Sequence, residues 1–223
     1  MRVGIIAEGR ADLAVIANIL RGKLQIDLED VQFLRPEYSL DETDLHDQGQ
    51  EKLSNWELVK RECVERTRID EFLSSPIDEE RLLVIHIDTA EAELEGYGVA
   101  RPRRDGDQDY VVELRTRVIE VIRRWMGGEV PGPTRFAIAV EETDAWVLTV
   151  FWTKDTATRP DPKKDLLAHL NKPNTYRPRD RKRLFQLKAY PRYDELTQLF
   201  RRARKLEECA GRNRSLRLFV DSL

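Results

Sequence analysis

The stretch from Arg81 to Asp88, which reads RLLVIHID, decides the fold class of this chain. A continuous apolar run of this length is typical of a parallel strand that is covered on both faces. Three further runs are predicted as strands, at 2–7, 31–34 and 135–140. Apolar residues recur at helical spacing elsewhere, at 13–20, 56–73, 110–126 and 144–152. This alternation predicts an α/β fold with a mostly parallel sheet flanked by helices.

The remaining segments are predicted as loops, caps and short helices. Gly22 follows the first helical pattern and is predicted to end that helix. The acidic segment 37–50 and the glycine-containing segment 89–109 are predicted loops, the second beside a strand end. Short helices are expected from Lys163 onward. We therefore expect an α/β domain at 1–155 and a basic helical extension at 156–223 that packs on it.

Composition excludes several classes of protein. The chain has 223 residues, of which 35% are charged, and its two cysteines are not at metal-ligand spacing. No Walker lysine loop, GxGxxG or GxSxG motif occurs, which argues against ATPases, dinucleotide-binding proteins and serine hydrolases. No segment resembles a membrane span or a signal peptide. We expect a soluble, cytoplasmic protein that has no membrane partner.

Acidic residues follow three of the four predicted strands. Carboxyl ends of parallel strands meet at one sheet edge, so these acids would lie together there and repel each other unless a cation is shared. Carboxylate oxygens are ligands that Mg²⁺ and Mn²⁺ prefer. The predicted metal ligands are Glu8, Asp12, Asp88, Glu91, Glu142 and Asp144. The alternative is that some of them, Glu142 and Asp144 in particular, cap helices. Glu93 and Glu141 also lie close enough in sequence to reach the metal.

These residues resemble the motifs of TOPRIM domains. The stretch IIAEGRAD at 5–12 resembles their first motif, a hydrophobic strand followed by Glu-Gly and an acid four residues after the Glu. The stretch VIHID at 84–88 resembles the second, in which a buried strand ends in Asp-x-Asp. The stretch AVEETDAW at 139–146 is similar to a later motif of bacterial TOPRIM-like proteins of the OLD-nuclease and RloB type. The resemblance covers roughly residues 1–155.

The resemblance implies a metal-dependent nuclease that cleaves DNA or RNA. Glu8 would be the general acid/base or a metal ligand, and Asp88 a ligand for Mg²⁺ or Mn²⁺. The family also implies work in bacterial antiviral defence, with a partner ATPase or another defence subunit, or with further copies of this chain. The sequence departs from the second motif because Ala90 stands where its second acid is expected. A ligand would then have to come from Glu91 or Glu93.

The C-terminal part supplies a candidate nucleic-acid surface. Six of the twelve residues from Arg177 to Lys188 are basic, and tyrosines 190 and 193 follow. Basic residues pair with phosphates and aromatic rings stack on bases. The predicted nucleic-acid-binding residues are Arg177, Arg179, Arg181, Lys182 and Arg183. By the resemblance, Lys188 or Lys182 would stabilise charge near the metal. The alternative is a basic helix face that docks on the acidic half of the chain or on a partner.

Two interpretations of the whole chain therefore stand beside each other. The first is the TOPRIM-like nuclease, and the second is a non-catalytic TOPRIM-like adaptor that binds a protein partner, which the missing motif acid favours. A phosphohydrolase that forms an aspartyl phosphate fits less well, because Glu8-Gly9 follows the first strand where that chemistry needs an Asp. His86, inside a predicted strand, is expected to be a hydrogen-bonded core residue. Tyr190 and Tyr193 are expected to be packing or surface aromatics.

Overall fold

The chain folds into an α/β domain around one parallel sheet. The computed structural model describes residues 1–36, 55–76, 79–104, 109–173 and 175–223. The strands are β1 (Arg2–Ile6), β2 (Val31–Arg35), β3 (Arg81–Asp88) and β4 (Thr134–Ala139). The helices are α1 (Arg10–Leu24), α2 (Asn55–Glu65), α3 (Thr67–Leu73), α4 (Tyr110–Trp125), α5 (Asp144–Phe151), α6 (Pro162–Leu170), α7 (Pro178–Gln186), α8 (Ala189–Leu196), α9 (Ala203–Ala210) and α10 (Arg214–Ser222). Two 3₁₀ helices, Leu28–Asp30 and Gln198–Arg201, complete the set.

The sheet has the strand order β2-β1-β3-β4, and every pairing within it is parallel. Ile5 of β1 lies opposite Val84 of β3, and Asp88 at the end of β3 lies opposite Ala139 at the end of β4. The predicted parallel sheet flanked by helices is thereby confirmed. Since all strands run the same way, their carboxyl ends share one edge.

Both faces of the sheet are buried, which explains the continuous apolar strands. Side chains alternate between two cores, so that Val84 faces one and Ile85 the other. The first core also holds α1, α5 and apolar residues of the helices beyond residue 165; the second holds α2, α3 and α4. Helix α1 packs against α8, α9 and the 3₁₀ helix Gln198–Arg201, while α10 packs on β4.

Two local predictions were wrong. The segment 56–73 contains two helices, because Arg66 adopts a left-handed backbone conformation with φ of 59° between α2 and α3. Helix α1 does not end at Gly22 but continues to Leu24, and Gln25 takes the left-handed cap position. A Cβ on Gly22 would lie 1.8 Å from the carbonyl oxygen of Phe200. Position 22 therefore requires glycine, because the 3₁₀ helix Gln198–Arg201 packs too closely against α1 to leave room for a side chain.

The predicted loops are partly described. Residues 37–50 lie outside the described part of the chain, as do 105–108 of the predicted loop 89–109. From 89 to 104 the chain consists of turns and irregular structure, as predicted. The short helices expected after Lys163 are present as α6 to α10. No helix in the described residues is both long and apolar enough to cross a membrane.

Candidate active site

The six predicted metal ligands line one open cavity at the carboxyl edge of the sheet. Its volume is about 590 Å³. Its acidic lining residues are Glu8, Asp12, Asp88, Glu91, Glu142 and Asp144. Three connections bring them together: the turn from β1 into α1, the end of β3 with the turn that follows, and the turn from β4 into α5. The juxtaposition expected from parallel strands is therefore present in the fold.

Two of these carboxylates accept hydrogen bonds from backbone amides at the end of β3. Oε1 of Glu8 accepts a 2.7 Å hydrogen bond from the amide N–H of Asp88, which links the ends of β1 and β3. Oδ1 of Asp88 accepts from the amide of Ala90 at 3.2 Å. Ala90, which stands in place of the second acid of the Asp-x-Asp motif, thus supplies a backbone amide that orients the carboxylate of Asp88.

Three further carboxylates accept one hydrogen bond each from a helix. Oδ2 of Asp12 accepts from the amide of Gly9 at 2.9 Å, which caps α1. Oε2 of Glu142 accepts from the amide of Lys163 at 3.2 Å, in the first turn of α6. Oδ1 of Asp144 accepts from the Tyr193 hydroxyl at 2.7 Å. Asp12 and Glu142 therefore accept hydrogen bonds from backbone amides at the N-termini of helices. This is the capping role that the sequence left open as an alternative.

The second oxygen of each of these five carboxylates accepts no hydrogen bond from the described residues. Capping and ligand binding are consequently compatible at this edge, because a carboxylate has two oxygens and the protein uses one. The remaining oxygens belong to side chains that line the same cavity. They are the groups that an incoming cation or hydrogen-bond donor would meet.

Burial and mutual repulsion make several of these groups unusually weak acids. Desolvation, with the nearby charges of Asp12 and Glu91, raises the pKa of Glu8 from 4.5 to about 8, although the amide of Asp88 opposes the rise. The pKa of Asp88 is also raised well above its usual range, by burial and then by the charge of Glu8. Burial raises the pKa of Asp144 to about 6, against the hydrogen bond from Tyr193.

The donor chemistry of the cavity fits a hard divalent cation. All six acids offer carboxylate oxygens, and buried carboxylates that repel each other are stabilised by a positive ion. As the side chains stand, however, no group of three or more His, Cys, Asp or Glu within the described residues is arranged to hold a metal ion. Metal binding would therefore require these side chains to rearrange around the ion.

Glu141 and Glu93 turn away from the cavity. Glu141 has a left-handed backbone conformation with φ of 63°, and its buried carboxylate accepts hydrogen bonds from Nη1 of Arg101 at 2.8 and 2.9 Å. Arg104 pairs with the same carboxylate at 3.1 Å. Glu93 also pairs with Arg101, at 3.4 Å. Of the four acids left open by the sequence, Glu91 and Glu142 are the ones that line the cavity.

Sequence reasoning missed five polar side chains of the cavity, namely Arg10, Asn55, Thr143, Lys163 and Tyr193. Two of them are Tyr193 and Lys163, which come from distant helices. Tyr193, predicted to be a packing or surface aromatic, lines the cavity and binds Asp144. Lys163 lines it as well, whereas Lys188 and Lys182 are not among the lining residues. No local pattern marks either residue, since both come from helices that are distant in sequence from the acids.

The basic helix α7 ends three residues before Ala189, a residue that lines this cavity. Lys188 is the N-cap residue of α8, and the next residue, Ala189, lines the cavity. Arg177, Arg179 and Lys182 are exposed. The other two basic residues of the set have partners within the fold, since Arg181 donates to the carbonyl of Asn171 and Arg183 pairs with Glu195.

His86 lies behind the cavity, and its predicted role as a hydrogen-bonded core residue is confirmed. The ring is fully buried, and Nε2 is 2.9 Å from the hydroxyl oxygen of Thr143. Thr143 is itself 2% exposed and belongs to the cavity lining. A buried polar pair therefore forms part of the wall behind the carboxylates.

Comparison with known proteins identifies no relative of this chain. No family model matches it, and no curated protein or solved structure is significantly similar to it.

Proposed function

We propose that the protein is a TOPRIM-like nuclease that uses Mg²⁺ or Mn²⁺ to cleave phosphodiester bonds in DNA or RNA. The observation that carries the proposal is the convergence of six carboxylates, from three separate strand ends, on one cavity at the carboxyl edge of the sheet. Glu8, Asp12, Asp88 and Asp144 stand at positions of acids in the motifs that the sequence resembles. Burying like charges together is costly unless a cation is bound between them, which supports a role that uses a metal ion.

The proposed roles follow from position and environment. Asp12, Asp88, Glu91, Glu142 and Asp144 would hold the metal with their free oxygens, with Glu8 as a further ligand or as the general acid/base. A bound divalent cation supplies charge stabilisation on the attacking and leaving oxygens. Burial raises the pKa of Glu8 to about 8 in the metal-free protein, a direction that favours a carboxyl able to carry a proton near neutral pH.

Two lysines are candidates for stabilising negative charge that develops on the phosphate. Lys163 lines the cavity and is supported by that position. Lys188, which the sequence suggested, sits one residue before the lining residue Ala189 and stays a prediction. Lysine acts in such a role as a compact positive charge.

Helix α7 is the proposed surface for nucleic acid. The support is that its N-cap residue Arg177 and its residues Arg179 and Lys182 are exposed. The chain also passes from α7 to the cavity at Ala189 within three residues. Phosphates would pair with these side chains and thereby guide a strand to the carboxylates. The basic helical extension at 156–223, the division from a TOPRIM-like domain at 1–155, and a role in antiviral defence belong to the same proposal.

The experiment is a cleavage assay on single- and double-stranded DNA and RNA with Mg²⁺, Mn²⁺ or EDTA. The wild-type protein is compared with Glu8→Ala and Asp88→Asn, and Glu129→Ala, an exposed acid outside the cavity, is the control. Metal-dependent cleavage that is lost in the first two variants and kept in the third supports the proposal. Cleavage that is unchanged in Glu8→Ala contradicts it.

A second candidate is a non-catalytic adaptor that binds a partner ATPase or another defence subunit. Two observations favour it: Ala90 replaces the second motif acid, and no three described acids are arranged to hold a metal ion as they stand. Isothermal titration with Mg²⁺ and Mn²⁺ discriminates between the candidates. Binding that is lost in Asp88→Asn counts against the adaptor, while absent binding together with recovery of a partner supports it. Light scattering would report self-association in the same samples.

A further inference from the structure

The hydroxyl of Thr143 has one hydrogen-bond partner in the described structure, and that partner is His86. Thr143 occupies the N-cap position of α5, where a threonine hydroxyl ordinarily accepts from an amide of the first turn. It makes no such capping bond here. Its oxygen instead lies 2.9 Å from Nε2 of His86.

The surroundings of His86 decide which group donates in this pair. Its Nδ1 is buried and has no hydrogen-bond partner among the residues that the structure describes. If Nδ1 carried the proton, the protein would bury an N–H without an acceptor, which is rarer and more costly than an acceptor without a donor. The proton therefore belongs on Nε2, which donates to Thr143. The doubly protonated ring would donate from Nε2 as well, so the direction of this bond does not depend on the charge of His86.

The hydrogen of the Thr143 hydroxyl is consequently available to another acceptor. A hydroxyl has one donor and two acceptor sites, and accepting from His86 leaves its donor unused. Among the described residues no side chain or carbonyl accepts from it. Thr143 belongs to the lining of the cavity, where 2% of its surface is exposed.

We infer that Thr143 is a binding residue whose hydroxyl donates to an anionic oxygen of the ligand, a non-bridging phosphate oxygen in the phosphodiester. His86 acts behind it as a positioning residue that fixes the direction of the hydroxyl. The identity of the ligand rests on the proposed function. The direction of the hydrogen bond rests on the geometry alone, so the two parts are tested separately.

The first test determines the tautomer of His86 by long-range ¹⁵N–¹H NMR on protein labelled with [¹⁵N]histidine. The chain has three histidines, and the variant His46→Gln/His169→Gln leaves His86 as the only signal. The expected result is a proton on Nε2. A ring protonated on Nδ1 alone overturns the inference, whatever the protein cleaves.

The second test compares cleavage by Thr143→Val and Thr143→Ser with the wild type. Loss of a hydrogen bond to a charged group predicts that Val lowers kcat/KM by a factor of about ten to a hundred, while Ser stays within about threefold. The affinity for Mg²⁺ is expected to be unchanged. Thr149→Val is the matched control, because it removes a buried hydroxyl of the same helix that donates to the carbonyl of Trp146.

A phosphorothioate substrate separates direct contact from a structural effect. Sulfur is a poorer acceptor than oxygen, so the penalty of Thr143→Val should shrink in the diastereomer whose sulfur replaces the contacted oxygen. Equal penalties in both diastereomers and in the oxygen substrate overturn the inference, as does full activity of Thr143→Val.

If the protein cleaves none of the substrates, the proposed function is contradicted, but the donor role of Thr143 can still be tested. Inorganic phosphate is then titrated in the presence of Mg²⁺ by calorimetry. Binding that is weakened in Thr143→Val and retained in Thr143→Ser supports the donor role. Equal binding in all three proteins, or no binding to the wild type, contradicts it.

Discussion

The hydroxyl of Tyr193 donates a 2.7 Å hydrogen bond to Oδ1 of Asp144, across 49 residues of chain. Tyr193 belongs to α8 and Asp144 begins α5, directly after the turn from β4. The bond therefore links the C-terminal helices to the acidic edge of the sheet. It also opposes the rise in the pKa of Asp144 that burial causes.

Replacement of Tyr193 by Phe is expected to weaken divalent-metal binding by about three- to tenfold, since one hydrogen bond to a carboxylate is lost. The carboxylate of Asp144 would lose both its orientation and part of the stabilisation of its charged form. Isothermal titration with Mg²⁺ measures the change. Tyr176→Phe, which alters a partly buried tyrosine outside the cavity lining, is the control. Equal affinities in wild type and Tyr193→Phe would refute the role of this bond.

Glu8 makes the stability of the metal-free protein depend on pH. Its pKa is 4.5 ordinarily and about 8 in the fold, so the folded state keeps a proton that the unfolded state has lost over this range. Stability should therefore fall as pH rises from 4.5 to 8, by at most about 1.4 kcal/mol per pH unit from this group. Glu8→Gln removes the contribution, because the amide does not titrate and its oxygen still accepts from the amide of Asp88.

Urea unfolding in EDTA at pH 5, 6, 7 and 8 measures this effect. The difference in unfolding free energy between Glu8→Gln and wild type should grow with pH in favour of the variant. Glu129→Gln, at an exposed position, should follow the wild type at every pH. A difference that stays constant with pH would show that Glu8 is ionised normally in the fold.

The buried carboxylate of Glu141 is expected to stabilise the turn that follows β4. It accepts from Arg101 and Arg104, and Arg101 also donates to the carbonyl of Thr89 at 2.8 Å, at the end of β3. Arg101→Gln should cost about 1–3 kcal/mol, because the buried carboxylate loses the hydrogen bonds from Nη1 of Arg101 while Arg104 remains. Chemical denaturation measures this loss.

The control for that variant is a pair on α4 whose side chains are more exposed than those of Arg101 and Glu141. Glu113 and Arg117 form an ion pair one helical turn apart. Arg117→Gln should change the free energy of unfolding by less than about 1 kcal/mol, since water screens such pairs. Similar costs for Arg101→Gln and Arg117→Gln would show that burial of Glu141 does not strengthen its pairing.

Gly22→Ala should destabilise the fold by about 1–3 kcal/mol, through overpacking. The new Cβ would lie 1.8 Å from the carbonyl oxygen of Phe200, so α1 and the 3₁₀ helix Gln198–Arg201 must separate. Gly211→Ala is the control, because its Cβ would meet the carbonyl oxygen of Glu208 at an ordinary 3.5 Å and its φ is −63°. Thermal unfolding of both variants tests the comparison, and an unchanged midpoint in Gly22→Ala would contradict the close contact.

The sequence alone was sufficient to predict β1, β3, β4 and the meeting of their acids. An apolar run such as RLLVIHID is a local pattern, and a strand buried on both faces needs it whatever the rest of the chain does. Parallel strands place their carboxyl ends at one edge, so Glu8, Asp88 and Glu142 could be expected to line a common cavity. These conclusions depend on short-range periodicity and on a general rule of topology.

Tertiary structure decided which side chains join those acids and which leave them. Glu141 and Glu142 are neighbours in sequence, yet the left-handed conformation of Glu141 turns it to Arg101 while Glu142 lines the cavity. Tyr193 and Gly22 acquire their roles from segments far away along the chain. Such contacts depend on how whole helices pack, and packing selects partners by shape and distance in space, which local sequence patterns do not record.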